Sequence, residues 1–281
     1  MNTHIFTVDV ENWYDGLPNS NDLRARFNSR LEINVRYLLS ILQEKNISAT
    51  FFWLGSLAEK NKGLIREVQN MGHDIGCHGW THTHLKVLGN RRFLHETQRA
   101  LGTIAEITGK PVIHYRAPFF SISEQTPWAL PILAGNGIKF DSSIVPVKYW
   151  RYGFPGFSPT LSVHQTDHGE ITEIPVSTGN FMGMKIPFGG GAWFRMIPYS
   201  FVRRGYQNLE ELGMTGVFYM HPWELDPGHP GVFLNPKYGI THYSNLGKCE
   251  KKLRLLLDHF RFTSIDQFFS ASCGREFDRF K

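Results

Sequence analysis

Two histidines four residues apart, His78 and His82, stand in the stretch Gly76-Cys77-His78-Gly79-Trp80-Thr81-His82-Thr83-His84. Neutral imidazole is the commonest protein ligand for zinc-like metals. On a helical turn, residues i and i+4 share a face, so both rings can reach one ion. Two histidines on a polar surface turn would look the same. The weight comes from three further features: the acid pair Asp9 and Glu11, Arg116 in a proline-containing loop, and a late His221-Pro222-Trp223. Two histidines and one carboxylate leave coordination positions open, as in a catalytic rather than a structural metal site. Such a metal brings the pKa of a bound water towards ~7. A second carboxylate can then take a proton as general base, and an arginine beside it lowers its pKa and orients it. A separate histidine can protonate a leaving group. The set spells metal-assisted hydrolysis, most simply of an amide or ester.

These residues can cooperate only if the fold gathers them. Strand-like runs at residues 5–10, 47–53, 73–78, 112–116, 171–176, 217–221 and 262–265 predict strands. Between them, helical spacing appears at 31–42, 56–68, 91–108, 128–134, 199–212 and 245–260. Ser56 to Glu59 has capping-box form, and Gly109 suits a helix C-cap. Strands alternating with helices imply βαβ units and a parallel sheet, and about seven such units suit a barrel. In a parallel barrel the C-terminal strand ends open onto one face. Asp9, Glu11, His78, Arg116 and His221 all fall at such ends. Residues 142–192, rich in Gly, Pro and aromatics, read as a loop-rich excursion over that face within a single domain of residues 1–281.

Composition narrows the function classes. The chain has 281 residues, 41% of them apolar and 14% aromatic, enough for a substantial core. Net charge is +5, but the basic residues are scattered, which does not support nucleic-acid binding. A mild attraction to anionic lipid or to a phosphate-bearing substrate stays open, and with it peripheral contact with the inner membrane surface. Three cysteines without CxxC spacing, Cys77, Cys249 and Cys273, fit a reducing compartment. No secretion signal and no membrane-spanning segment is read, so a cytoplasmic location is expected. No glycine-rich nucleotide fingerprint opens a helix.

Larger blocks carry a resemblance. They include Val8-Asp9-Val10-Glu11-Asn12-Trp13, Ala49-Thr50-Phe51-Phe52-Trp53, His78-Gly79-Trp80-Thr81-His82, Tyr115-Arg116-Ala117-Pro118, Phe140-Asp141-Ser142-Ser143, Gly189-Gly190-Gly191-Ala192-Trp193-Phe194-Arg195 and Phe218-Tyr219-Met220-His221-Pro222-Trp223. With these the chain resembles the polysaccharide deacetylases of the NodB-homology class, carbohydrate esterase family 4, and within it the subfamily of exopolysaccharide and exosortase loci. The resemblance implies an α/β fold, a distorted (β/α)7 barrel with long loops over the C-terminal face of the strands. It implies a metal-dependent hydrolase that removes an N-acetyl group from an amino sugar during surface-polysaccharide biosynthesis. It further implies Asp9 as base, Arg116 as its tether, His221 as acid, the backbone N–H of Phe119 at the oxyanion, and His78 and His82 as metal ligands. The cofactor implied is a divalent metal, zinc first, with cobalt or nickel also suited.

One departure stands out. The common family motif has two adjacent aspartates, base then ligand; here Val10 follows Asp9 and the next acid is Glu11. Alternation along a strand points Asp9 and Glu11 the same way, so Glu11 can serve as third ligand, with Asn12 a poorer candidate and Asp9 itself the remaining option. Trp80, Trp193 and Trp223 are equally core or sugar-stacking platforms. The substrate expected is an N-acetylated sugar, free or linked to a carrier. Two other readings stand beside deacetylation: an amidase or deformylase on a lipid-linked or small substrate, and a catalytically silent glycan-binding protein.

Overall fold

The computed structural model describes residues 2–272, so Cys273 lies outside the described residues. The chain opens with strand β1 (Thr3–Val10), helices α1 (Ser20–Arg26) and α2 (Leu31–Glu44), β2 (Thr50–Trp53), α3 (Gly55–Ala58), α4 (Lys62–Asn70), β3 (Asp74–Cys77) and α5 (Leu85–Thr108). It continues through β4 (His114–Tyr115), a 3-10 turn at Pro118–Phe120, α6 (Ala129–Gly135), β5 (Phe140–Asp141), β6 (Ser162–Thr166), β7 (Gly169–Glu173), β8 (Gly179–Phe181) and β9 (Met184–Ile186). It closes with α7 (Gly191–Met196), α8 (Tyr199–Glu211), β10 (Val217–Met220), a 3-10 turn at Pro222–Leu225, α9 (Pro236–Tyr243), α10 (Leu246–His259), β11 (Arg261–Thr263) and α11 (Ile265–Ser272).

The strand order is β10-β1-β2-β3-β4-β5-β7-β6, with β11 also paired to β1. Seven of these, from β10 across to β7, run parallel. Only β6 joins the main sheet antiparallel, as a hairpin on β7. β1 is buried almost throughout, as a central parallel strand between two layers must be. Helix α2 seals one flank with a stripe at Leu31, Val35, Leu38, Leu39 and Leu42. The sheet curls until its ends meet. Past β7 the chain bonds to β10, Ser177 N–H to Val217 O and Val217 N–H to the Ser177 hydroxyl. Next to it, Gly190 pairs with Tyr219. A Cβ on Gly190 would collide with the Tyr219 carbonyl oxygen, so glycine is required at this seam.

The expected α/β architecture with a curled, parallel-rich sheet is present, and several details differ from the reading of the sequence. The helix expected over 56–68 is two pieces, α3 and α4, and Leu54 rather than Ser56 precedes the first. Helix α5 begins at Leu85, earlier than expected, and bends at Gly89, whose φ of 69° breaks the helical run. The stretch 142–192 is not merely loop: it contains two hairpins, β6–β7 and β8–β9. Helices α1 and α9 were not foreseen; α9 is only eight residues long, too short for a periodic signal.

Candidate active site and metal centre

The strand ends deliver the expected residues to one cleft of about 820 Å³, which Asp9, Glu11, His78, His82 and His221 line together. His78 and His82 are not on a helical turn. The chain from 78 to 84 is irregular, turning at Gly79 with φ 82°, and this loop brings the two rings to 5.3 Å. Each ring is held by its Nδ1. That of His78 lies 2.8 Å from the carbonyl oxygen of Arg116, and that of His82 lies 3.2 Å from the carbonyl of Asp15. A carbonyl only accepts, so in the neutral rings Nδ1 carries the hydrogen and Nε2 presents a lone pair. Burial lowers the His78 pKa to about 4 against the opposing pull of Asp9, which keeps the ring in its neutral, ligating form.

Glu11 faces these lone pairs. Its Oε2 sits 2.8 Å from His82 Nε2 and has no well-formed hydrogen bond, although it is buried. One ligand atom from each of Glu11, His78 and His82 lies within 4.8 Å of the other two. Three acceptors converging in a buried space repel one another unless a cation sits among them. The donor set therefore fits a divalent metal, with Glu11 as the carboxylate. Burial works against the charge of Glu11, but the positive charge that His82 and His221 carry when protonated outweighs it and holds the carboxyl well below the usual range. Asn12 is turned away: its side-chain oxygen accepts from the Ser29 hydroxyl at 2.7 Å. Asp9 is engaged elsewhere.

Arg116 is fully buried behind Asp9. Its Nη1 donates to Asp9 Oδ1 and to the Thr7 hydroxyl, both at 2.8 Å, while Nε and Nη2 bond the carbonyl and hydroxyl of Ser142. This explains the Asp141-Ser142-Ser143 block: at the end of β5 it clamps the guanidinium that in turn holds Asp9. The other oxygen, Oδ2, points toward His221 Nε2 at 4.0 Å. His221 Nε2 also lies 3.5 Å from Glu11 Oε1. On its far side, Nδ1 meets Glu224 Oε2 at 3.2 Å, and the His221 backbone N–H donates to the same oxygen. Burial would lower the His221 pKa, but Glu11, Glu224 and Asp9 together raise it to about 9.

Phe119 stands in left-handed backbone at φ 59°, a conformation costly for a non-glycine residue, and its ring packs 4.2 Å from His82. Of the three tryptophans weighed as sugar platforms, Trp193 and Trp223 line the cleft. Trp193 borders it, and Trp223 donates its indole N–H to Glu11 Oε1 at 3.3 Å while stacking between His221 and His242. Trp80 does not reach the cleft. It is buried in the main core under the Arg99 guanidinium, 3.6 Å from the ring, because α5 packs over the loop that carries it. Cys77 faces the core, as strand alternation requires.

Glu224 both holds the His221 ring and caps the 3-10 turn that follows it. Arg195 was missed as a site residue. It is buried and bonds Glu224 at 2.7 Å as well as the carbonyls of Thr241, His242 and Ser244. Its only signal in the sequence was an arginine closing a glycine-rich block. Tyr149, Trp150, Arg151 and Tyr152, which wall the cleft, were missed too.

Residues 25–138 match the polysaccharide deacetylase family, and residues 142–270 match a domain of unknown function, DUF3473. A peptidoglycan-N-acetylglucosamine deacetylase of Bacillus cereus is 28% identical over 115 residues, 41% of this chain and 42% of that protein. Chitin deacetylase 1 of Cryptococcus neoformans is 31% identical over 88 residues, 31% of this chain and 19% of that protein. The chain thus spans less than half the length of these relatives. In fold, it superposes with TM-score 0.61 on a Mycobacterium smegmatis protein assigned as a polysaccharide deacetylase, at 21% identity over 98% of this chain and 84% of the other. It superposes with TM-score 0.63 on the Puue allantoinase, at 12% identity over 98% and 91%. Residues 25–138 are thus similar to polysaccharide deacetylases, and the chain as a whole shares its fold with the two solved structures.

Proposed function

We propose that this protein is a metal-dependent hydrolase that removes the N-acetyl group of an amino sugar, in the assembly or tailoring of a surface polysaccharide. The observation that carries the reading is the convergence of Glu11, His78 and His82 beside an arginine-held Asp9 and a carboxylate-held His221. The named activities of the relatives support the substrate class.

A divalent cation held by Glu11, His78 and His82 would supply Lewis acidity to the acetyl carbonyl; two imidazoles and a carboxylate suit zinc, cobalt or nickel. The remaining chemistry belongs to the chain. Arg116 occupies Oδ1 of Asp9 and orients the carboxylate, leaving Oδ2 to accept the proton of an attacking water. His221, with Nδ1 tied to Glu224, presents Nε2 to the cleft, where it delivers a proton to the departing amine. Arg195 locks Glu224 in turn, so the acid is oriented through a buried chain of charge-assisted bonds. Phe119 borders the cleft, and its backbone N–H is the group we assign as oxyanion donor; a positioned donor of this kind contributes about 3 kcal/mol to the transition state.

Asp9→Asn is expected to keep the metal and lose turnover, whereas Glu11→Gln is expected to lose the metal. Acetate release and metal content, measured together on N-acetylated oligosaccharides, test this. An Asp9→Asn protein with near-normal turnover would overturn the assignment of the base.

A further inference from the structure

A second, solvent-open depression adjoins the cleft and shares its Phe120, Tyr149, Trp150, Arg151 and Tyr152 wall. Its character is different. Three basic side chains line it, His84, Lys86 and Arg151, against one acid, Glu124. Arg151 uses one nitrogen to donate to the Gly16 carbonyl and lies over the Phe119 ring at 4.8 Å; among the described residues it meets no carboxylate. Lys86 likewise makes no ion pair among the described residues. Both cations raise the positive potential at His84. His84 Nδ1 accepts the Lys86 backbone N–H, so in the neutral ring Nε2 carries a hydrogen to donate. These groups cluster at the single turn Leu85–Leu88 that precedes the break at Gly89.

Phe119 ties this annex to the metal cluster. The His82 ring lies 4.2 Å from one side of it, and the Arg151 guanidinium 4.8 Å from its centre. The guanidinium is therefore no more than about 9 Å from His82, roughly one sugar ring away. Cations that find no carboxylate, beside hydroxyl and amide groups from Ser123 and Gln125, are a recognition surface for an anion rather than a structural salt-bridge network.

We propose that this annex binds an anionic group, a phosphate or a carboxylate, on the portion of the substrate adjoining the acetylated sugar. The proposal rests on the deacetylase reading only for the identity of that sugar. An anion there orients the sugar so that its acetamido group meets Asp9 and His221, and it excludes neutral glycans on affinity. Glu124 opposes the anion, which keeps binding reversible.

Calorimetry on the protein as purified tests it with three probes: N-acetylglucosamine 1-phosphate, an N-acetylated disaccharide bearing a uronic acid, and a neutral N-acetylated disaccharide. At least one anionic probe is expected to bind tenfold or more tighter than the neutral one, and which one does so separates a phosphate from a carboxylate source. That advantage is expected to fall below threefold in Lys86→Gln, an exposed position, and in Arg151→Gln. Phosphate binding through a metal would survive both substitutions, so an advantage that persists overturns the proposal, as do equal binding of all three probes and no binding of any. Anion-selective binding that vanishes in the variants, with no acetate released from any probe, removes the deacetylase reading and leaves the annex standing.

Discussion

His4 offers a test of the fold that needs no substrate. It sits in β1, fully buried, with its Nδ1 accepting the Gly216 N–H at 2.9 Å, so the neutral ring is part of the β1–β10 joint. Burial lowers its pKa from the usual 6.5 to about 4. Between those values the unfolded chain binds a proton that the folded chain refuses, so stability is fully present above pH 6.5 and is lost as pH falls toward 4. The slope approaches 1.36 kcal/mol per pH unit in that window. Integrated from pH 7 to pH 5 with these two pKa values, the loss from His4 is about 2 kcal/mol. His4→Asn keeps an acceptor where Nδ1 was and removes the titration. Urea unfolding at pH 7, 6 and 5 should show the stability of the Asn variant falling about 2 kcal/mol less than that of the parent over this range. Parallel pH profiles for the two proteins would refute the reasoning, whatever the offset between them. His73 is built alike, accepting the Ala49 N–H on Nδ1 with a pKa lowered to about 4 by burial, so it adds to the acid sensitivity of the parent without affecting the comparison.

Two further outcomes probe the site. Arg116→Leu leaves the Asp9 carboxylate buried beside an apolar side chain, and breaking a buried pair in this way costs about 3–5 kcal/mol; thermal unfolding should show the loss, and Arg116→Leu paired with Asp9→Asn should recover part of it. Trp223→Phe keeps the ring between His221 and His242 but removes the hydrogen bond to Glu11 Oε1, so metal affinity should drop about 10- to 100-fold by titration against a chelator, with little change in unfolding temperature.

Much of this site was legible because strand ends are legible. Asp9, His78, Arg116 and His221 each close or follow a short β-branched run, and parallel order sends those ends to one face. The choice of Glu11 over Asn12 was half legible. Alternation points Glu11 inward, but only Ser29, seventeen residues away, shows where Asn12 goes. Trp80 stayed open between core and sugar platform because its type suits both, and its neighbours are set by α5, whose start at Leu85 no periodicity announces. Arg195 and Glu224 form a bond between a helix and a 3-10 turn, neither of which has a sequence period long enough to register. The aromatic wall at Tyr149 to Tyr152 lies in irregular backbone, where no pattern says which side chains face inward.

The two family matches divide the chain near residue 140, but the chemistry does not divide there. The first half supplies His78, His82 and Arg116; the second supplies His221, Glu224 and Arg195. Asp9 and Glu11 lie before either match, on the strand that pairs with β2 on one side and β10 on the other. Ser142, just past the junction, grips Arg116 from the first half. Neither matched segment therefore holds a complete candidate site, and β1 is the element that joins them. A β1 displaced from β10 would separate Asp9 and Glu11 from His221, so the register Thr7 with Tyr219 and Val8 with Met220 is as much a part of the proposed chemistry as the side chains themselves.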